Sequence, residues 1–312
     1  MKRWLALLAA ACAATASALA TAAPLSGSLT SVGSDTAGTL ISGWAVDFQA
    51  AHPAVRVQVQ ASGSASAPIA LIEGAADIGT MSRAMSADER EAFARRHGHP
   101  PLGLILAHDA IAVFVHPDNP RTRITLAELD AIYSSDRRCG GSTAVRRWDA
   151  LAPQAGAAVD RLPILLAIGR DTGSGTNGLF REIALCGGRY QPQVIAWPGN
   201  GAVVAAVASN PEAIGYAGAG YANGLVRIVA VARDAAGTAI LPEEHAVASG
   251  RYPLSRALHV YINRVPGEAL APLPAAFLEY ALSDAAQARV RGEGFVPLTA
   301  AERLAQRALL AP

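Results

Sequence analysis

The sequence predicts an α/β fold built on a parallel-rich sheet, and three observations predict it. Short apolar runs alternate with stretches of helical spacing from Gly27 onward. Each apolar run ends in a polar turn of Ser, Thr or Gly that opens the next helix, which is how βαβ units read in a sequence. The chain has 312 residues, 51% of them apolar, so it can bury a sizeable core and is long enough for two domains.

The elements follow in order. Gly27 to Val32 is a short strand, and Gly33-Ser34-Asp35-Thr36 turns into a helix with Leu40, Ile41, Trp44 and Phe48 on one face, ending near His52-Pro53. Val55, Val57 and Val59 alternate with polar residues, the period of a strand. Ser62-Gly63-Ser64-Ala65-Ser66 opens a helix through Ile72 that Gly74 closes, and Ala76-Asp77-Ile78-Gly79 is a strand leading to Ser82-Arg83. A helix starts at Ser86, and Ile111 to Val115 is a strongly apolar strand. Thr125 with Glu128 has the spacing of a capping box. Leu162 to Ile168 is a buried strand, followed by Arg170-Asp171-Thr172-Gly173-Ser174-Gly175-Thr176-Asn177 and a helix through Leu185. Val194 to Trp197, Ala213 to Tyr216 and Leu258 to Ile262 are further strands, and helical patterns fill the tail from Pro274.

Met1-Lys2-Arg3-Trp4 precedes a short apolar run and small residues at Ala20-Thr21-Ala22. That order is a secretory signal peptide over residues 1–22; a membrane anchor is the competing reading, without a stop-transfer flank. Beyond it stand Cys139 and Cys186, each beside a Gly-Gly pair. In an exported chain they suit one disulfide, the alternative being separate thiols. Lysine plus arginine total 26 against 25 acids, and this balance argues against nucleic acid as a partner, which would want a basic stripe.

The segment from Arg170 to Asn177 is the most specific signal. The first N–H groups of a helix lack internal partners and lie at the positive end of its dipole. Arg170, Ser174, Gly175 and Thr176 add a guanidinium, two hydroxyls and a close backbone approach, which suits an oxyanion. Ser34, Asp35 and Thr36 can serve merely as a helix cap, Ser62-Gly63-Ser64 as a turn, and Ser82-Arg83 as a surface pair. Their recurrence after strands, where open α/β sheets meet ligands, points instead to binding.

Competing chemistries fit less well. Residues 173–178 form a GxGxxG, but the following strand ends Ala196-Trp197-Pro198 without the ribose-binding acid of a dinucleotide site. No GxSxG elbow occurs, since Thr172 stands where Ser174 would need glycine. Of the seven histidines only His97 and His99 are close, and their spacing is not that of a metal site. A triad assembled from distant residues, as in a secreted phosphatase, stays open.

The markers Val32-Gly33-Ser34-Asp35-Thr36, Ser62-Gly63-Ser64-Ala65, Ala76-Asp77-Ile78-Gly79 with Ser82-Arg83, Arg170 through Thr176, Ala213-Ile214-Gly215-Tyr216 and Tyr252-Pro253-Leu254-Ser255-Arg256 together resemble the phosphate-binding periplasmic proteins of ABC importers. The resemblance covers nearly all of the chain after the signal. It implies a two-lobed type 2 periplasmic-binding-protein fold with a ligand cleft and two crossing strands. Lobe I would hold 24–115 and 256–312 and lobe II 116–255, with crossings near Val115-His116-Pro117 and Ser255 to Leu258. It further implies a non-catalytic, monomeric, periplasmic or secreted protein without cofactor or metal, which hands inorganic phosphate to a membrane permease. The ligand would be held by Thr36 and the N–H of Ala37, by Ser64, and by Arg170, Ser174, Gly175 and Thr176, with Ser34, Asp35, Ser82 and Arg83 as further candidates. Some family members place an Asp in the segment matching Ser82-Arg83, where it accepts the proton of hydrogen phosphate and rejects sulfate. Here no acid lies between Asp77 and Asp88, so either Asp35 reaches the ligand or it only caps its helix. Another oxyanion or an organophosphate is the alternative ligand.

Overall fold

In the computed structural model, which describes residues 24–151 and 164–312, two parallel units of the same design form the centres of two sheets. The expected signal peptide and Leu162-Pro163 lie outside the described residues. In the first unit β1 (Gly27–Gly33) leads through α1 (Asp35–Ala51) to β2 (Val55–Gln60), then through α2 (Ser66–Ile72) to β3 (Ile78–Met81). β1 lies between β2 and β3, parallel to both. The chain thus leaves β1 in one direction and returns to its other side, which opens a crevice beyond the carboxyl ends of β1 and β3.

The helices here begin and end for local reasons. Ser34 caps α1 by accepting the Ala37 N–H at 3.2 Å, and the helix ends where Pro53 holds His52 extended. Its inward face, Leu40, Ile41, Trp44 and Phe48, is at most 2% exposed, and the Trp44 indole donates to the Ala286 carbonyl at 2.9 Å. At α3 (Ala87–His97), Ser86 and Glu89 close a capping box and Gly98, at φ 82°, ends the helix. Gly33 is at φ 144°, and a side chain there would run into the Thr80 carbonyl, so β1 can approach β3 only with glycine.

The next strand joins the two units. β4 (Leu102–Val115) is 14 residues long, far longer than the Ile111–Val115 run that the sequence suggested. The remaining residues carry no strand signature, because both faces of β4 are covered, so it shows no alternation, and Gly103, His108 and Asp109 interrupt its apolar character. After β5 (Arg123–Thr125) and α4 (Leu126–Tyr133), the second unit repeats the first. β6 (Leu166–Arg170), α5 (Gly175–Ala184), β7 (Ile195–Trp197), α6 (Asn200–Ala208) and β8 (Ala213–Gly218) follow in turn. β6 lies between β7 and β8, parallel to both.

β9 (Arg227–Ala232) and β10 (Ser255–Ile262) complete the sheets, with α7 (Glu244–Ala248) between them. From Leu102 to Ala110 β4 pairs antiparallel with β10, whose other edge meets β3. From Ile111 to Val115 it pairs instead with β8, and near its end also with β9. The partner exchange between Ala110 and Ile111 makes β4 a member of both sheets. One core surrounds Trp44, Phe48 and Phe277, the last on α8 (Pro272–Ala281). The other surrounds Tyr133, Trp148, Phe180 and Tyr216. α9 (Asp284–Gly292) packs with the first core, and α10 (Ala300–Leu310) has no buried residue.

Cys139 and Cys186 are joined by a disulfide with the Cα atoms 5.1 Å apart. It ties the segment after α4 to the residue following Leu185, the cap at the far end of α5. Asp130, fully buried, steadies the same segment by accepting the Cys139 N–H at 2.7 Å and the Gly141 N–H at 3.1 Å. The bridge closes a loop of 47 residues, for which the chain-entropy model gives about 4 kcal/mol. The Cys139→Ala, Cys186→Ala variant is therefore expected to unfold at lower denaturant concentration by several kcal/mol. An unshifted midpoint in urea would contradict that contribution.

Candidate anion-binding site

The carboxyl ends of β1, β3, β6 and β7 and the start of β10 meet at one buried polar cluster. Ser34, Thr36, Ser64, Ser82, Asp109, Arg170, Ser174, Thr176, Asn200 and Arg256 are each 6% exposed or less. Polar groups at such burial require partners, and Thr36, Arg170, Thr176, Asn200 and Arg256 find one across the junction of the two sheets.

Asp35 opens α1, where the helix dipole favours its negative charge. Its Oδ2 stands 3.0 Å from Arg170 Nη2 and accepts Asn200 Nδ2 at 3.0 Å. Arg170, at the end of β6, also donates through Nη1 to Asn200 Oδ1 at 2.7 Å. The orientation of the Asn200 amide is fixed, because its oxygen faces two donors, Arg170 Nη1 and the Gly218 N–H at 3.0 Å. Thr36 Oγ1 lies 3.3 Å from Thr176 Oγ1, joining the start of α1 to the start of α5. Two groups in this ion pair have no hydrogen-bond partner among the described residues: Arg170 Nε, a donor, and Asp35 Oδ1, an acceptor. A buried group left so costs about 1–3 kcal/mol.

The helix starts come very close. The Ala65 N–H donates to the Gly173 carbonyl at 3.2 Å across the junction. A Cβ on Gly175 would collide with the hydroxyls of Ser64 and Ser82. Those two hydroxyls lie 3.3 Å apart, and Ser64 Oγ accepts the Ser82 N–H at 3.0 Å. Glycine at 175 is thus required by contact rather than by backbone angle.

Two candidates from the sequence have their groups engaged elsewhere. The Arg83 guanidinium forks the Glu89 carboxylate at 2.6 and 2.7 Å. Burial works to raise the Glu89 carboxyl, but the hydrogen bonds from Arg83 and Ser86 hold it below its ordinary value. The Ala37 N–H is occupied by Ser34 Oγ. In α5, Ser174 Oγ accepts the N–H groups of Thr176 and Asn177 at 3.1 and 3.4 Å. By helix geometry the amides of Thr36 and Gly175 remain as first-turn donors without an intrahelical partner.

The sequence reading did not assign Asn200, Asp109 or Arg256 to the site. Asn200 follows the turn Pro198-Gly199, a strand-to-helix turn like the others, and that similarity was the available signal. Asp109 is an acid within the long apolar run of β4, and Arg256 stands within a marker of the resemblance. Burial pushes the Asp109 carboxyl upward, against the opposing pull of Arg256.

Behind the cluster is an aromatic support. Tyr216 stacks on Phe180 at 3.7 Å between centroids, and its hydroxyl accepts the Arg170 N–H at 3.3 Å and lies 2.8 Å from the Tyr190 hydroxyl. Asn177 Nδ2 donates to the Arg170 carbonyl at 2.7 Å. Burial pushes the Tyr216 phenol up to about 12, so no phenolate competes for Arg170 at neutral pH. The backbone on both sides of the Gly173 turn is therefore held from below.

Two lobes that meet through helix N-termini, with a buried guanidinium between them, define a solute-binding protein of the two-lobed α/β type. A family model described as a PBP superfamily domain matches residues 18–285. The phosphate-binding protein PstS of Pseudomonas aeruginosa is 41% identical over 288 residues, covering 92% of this chain and 88% of that protein. Protein SphX of Synechococcus elongatus is 28% identical over 277 residues, covering 87% and 78%. Among solved structures, a substrate-binding protein from Clostridium perfringens with bound phosphate superposes with a TM-score of 0.73 at 24% identity, covering 88% of this chain and 100% of that one. An ABC-type phosphate transport receptor from Vibrio cholerae gives 0.66 at 22% identity, covering 86% and 100%. The chain belongs to the PBP superfamily and, within it, to the family of the phosphate-binding protein PstS, and its fold is the type 2 periplasmic-binding fold.

Placing a branched side chain at the close approach tests whether the junction itself serves binding. Gly175→Val is expected to lower anion affinity about tenfold or more, the scale of overpacking, and to lower the thermal midpoint as well, because its side chain would collide with Ser64 and Ser82. Parental affinity measured by calorimetry in that variant would show that binding does not need the two helix starts together.

Proposed function

We propose that this chain is an exported binding protein that captures inorganic phosphate between its lobes and passes it to a membrane ABC permease without chemical change. The observation that carries the reading is the pairing of Arg170 Nε, a buried donor, with Asp35 Oδ1, a buried acceptor, at one ion pair. A tetrahedral anion that still holds one proton satisfies both, accepting from the guanidinium and donating to the carboxylate. Sulfate has no proton at neutral pH and would set an oxygen against Asp35 Oδ1, so the acceptor discriminates by leaving the wrong ligand unpaired. The relatives support the ligand, since the Pseudomonas aeruginosa protein is called phosphate-binding and the Clostridium perfringens structure holds phosphate.

In this reading Thr36, Ser64, Ser82, Ser174, Gly175 and Thr176 surround the anion with hydroxyls and first-turn amides, and Ser34 shapes the α1 start as its cap. The lobes are 24–115 with 256–312, and 116–255. The exchange of β4 partners at Ala110 and Ile111 supports such a division, with the hinge a little ahead of Val115. Residues 1–22 would direct export, and the protein would act as a monomer in the periplasm or beyond it.

Calorimetric titration is expected to give heat with phosphate and far less with sulfate, and no product from a chromogenic phosphomonoester. Absence of phosphate binding would overturn the reading, tighter binding of another oxyanion or an organophosphate would redirect it, and turnover would favour a phosphatase. Arg170→Ala should weaken phosphate binding a hundredfold or more, because several charge-assisted hydrogen bonds of about 1.5–3 kcal/mol each depend on it. Circular dichroism of that variant should stay parental; near-parental affinity would remove Arg170 from the site. Asp35→Asn should narrow the ratio of phosphate to sulfate affinity, and an unchanged ratio would place the discriminating acceptor elsewhere.

A further inference from the structure

Arg256 stands at the point where the two lobes and the hinge meet. It is paired in register with Asp109 across β10 and β4, immediately before β4 changes partners. Its Nε and Nη2 both reach Asp109 Oδ2, at 2.7 and 2.6 Å. What remains of the guanidinium turns toward the two helix starts. Nη1 donates to Thr176 Oγ1 at 2.8 Å and Nη2 to Thr36 Oγ1 at 3.4 Å. Arg256 is 6% exposed and Asp109 1%, so these contacts face no competition from bulk water.

The chemistry of the donors decides what the threonines can do. A guanidinium and an amide nitrogen only donate, whereas a hydroxyl has one proton and two acceptor positions. Thr36 Oγ1 receives Arg256 Nη2 and also Asn200 Nδ2, the latter at 2.9 Å, which fills both of its acceptor positions. Its contact with Thr176 must then run from the Thr36 proton to the Thr176 oxygen. Thr176 Oγ1 thereby receives Arg256 and Thr36, and its own proton has no protein acceptor among the described residues. Only the Thr176 proton is thus left for an anion, while the Thr36 proton, committed to Thr176, fixes that orientation from the opposite side of the junction.

We propose that Arg256, steadied by Asp109, is a positioning residue of the anion site, acting from the crossing strand to commit the Thr176 hydroxyl proton to the ligand, with Thr36 of the other lobe holding that orientation. This rests on the reading of the cluster as an oxyanion site and adds a component from the hinge to those from the two lobes. It also gives the hinge a direct part in binding. A rotation of either lobe about β4 and β10 moves a threonine relative to Arg256, so the donor geometry forms only when both lobes are closed.

The test exchanges the buried pair for an apolar one, Arg256→Met with Asp109→Leu, because removing Arg256 alone would strand a buried carboxylate and risk misfolding. Calorimetry with phosphate, arsenate and sulfate should show the strongest ligand of the parent binding on the order of tenfold to a hundredfold more weakly, the loss expected of charge-assisted hydrogen bonds. Thermal unfolding without ligand checks the fold of the same sample. Thr176→Val, alone and combined with the pair exchange, supplies the readout that a purely structural role would not move. If Arg256 acts through Thr176, the two losses are not additive and the combined variant binds little worse than the weaker one. Affinity within twofold of the parent, or fully additive losses, would overturn this inference while leaving the phosphate reading intact. A parent that binds none of the three anions would overturn both. Arg256→Lys, which keeps the charge but loses the fork, should recover only part of the affinity; full recovery would show that charge alone suffices and the positioning role is absent.

Discussion

The ion pair between Asp35 and Arg170 joins two lobes at 3.0 Å, with the Arg170 side chain 2% and the Asp35 side chain 16% exposed. Burying opposite charges costs hydration that their mutual attraction regains only if other hydrogen bonds complete the shell. Here the shell is supplied in part by Asn200 and by the N-terminal dipole of α1, Tyr216 holds the Arg170 backbone, and Arg170 Nε and Asp35 Oδ1 stay without a partner among the described residues. Asn200 and the start of α1 follow the ends of β7 and β1, and Tyr216 lies within β8. The topology of both parallel units follows as a requirement: only strands that all end at one junction can bring these groups together.

The same constraint explains the distribution of small residues. Gly33 lets β1 approach β3, and Gly175 lets α5 approach Ser64 and Ser82. A helix start exposes its amides only to what can come near, so glycine and serine there set the reach of the donors. The disulfide at the far end of α5 and the Tyr216–Phe180 stack then hold that helix in position. Between the lobes, β4 and β10 supply both the hinge and, through Asp109 and Arg256, polar atoms of the cluster.

Much of this was legible in the sequence because it is local. A strand that runs into Gly33-Ser34-Asp35-Thr36 or Arg170-Asp171-Thr172-Gly173-Ser174 announces its helix cap, and the caps form at Ser34 and Ser174. The Thr125 and Glu128 capping box forms as well. Harder to read were features that depend on distant pairing. β4 has no alternation because both of its faces are covered, so most of its length passed as unassigned chain. Asp109 and Arg256 look like unrelated charges until the register of β4 and β10 sets them side by side. Arg83 shows the same dependence on pairing that the local sequence does not display. It follows the expected Ser82 directly, but Glu89, needed to cap α3, takes its guanidinium away.

In the binding mode we propose, one anion is held jointly by Thr36 and Asp35 of one lobe and Arg170 and Thr176 of the other. A crystal structure of the full protein with phosphate tests it most directly. The expected result is a single buried tetrahedral density within hydrogen-bond distance of Arg170 Nε and Asp35 Oδ1, with the Thr176 hydroxyl directed to it. Phosphate bound to one lobe alone, or outside the junction of α1 and α5, would contradict it.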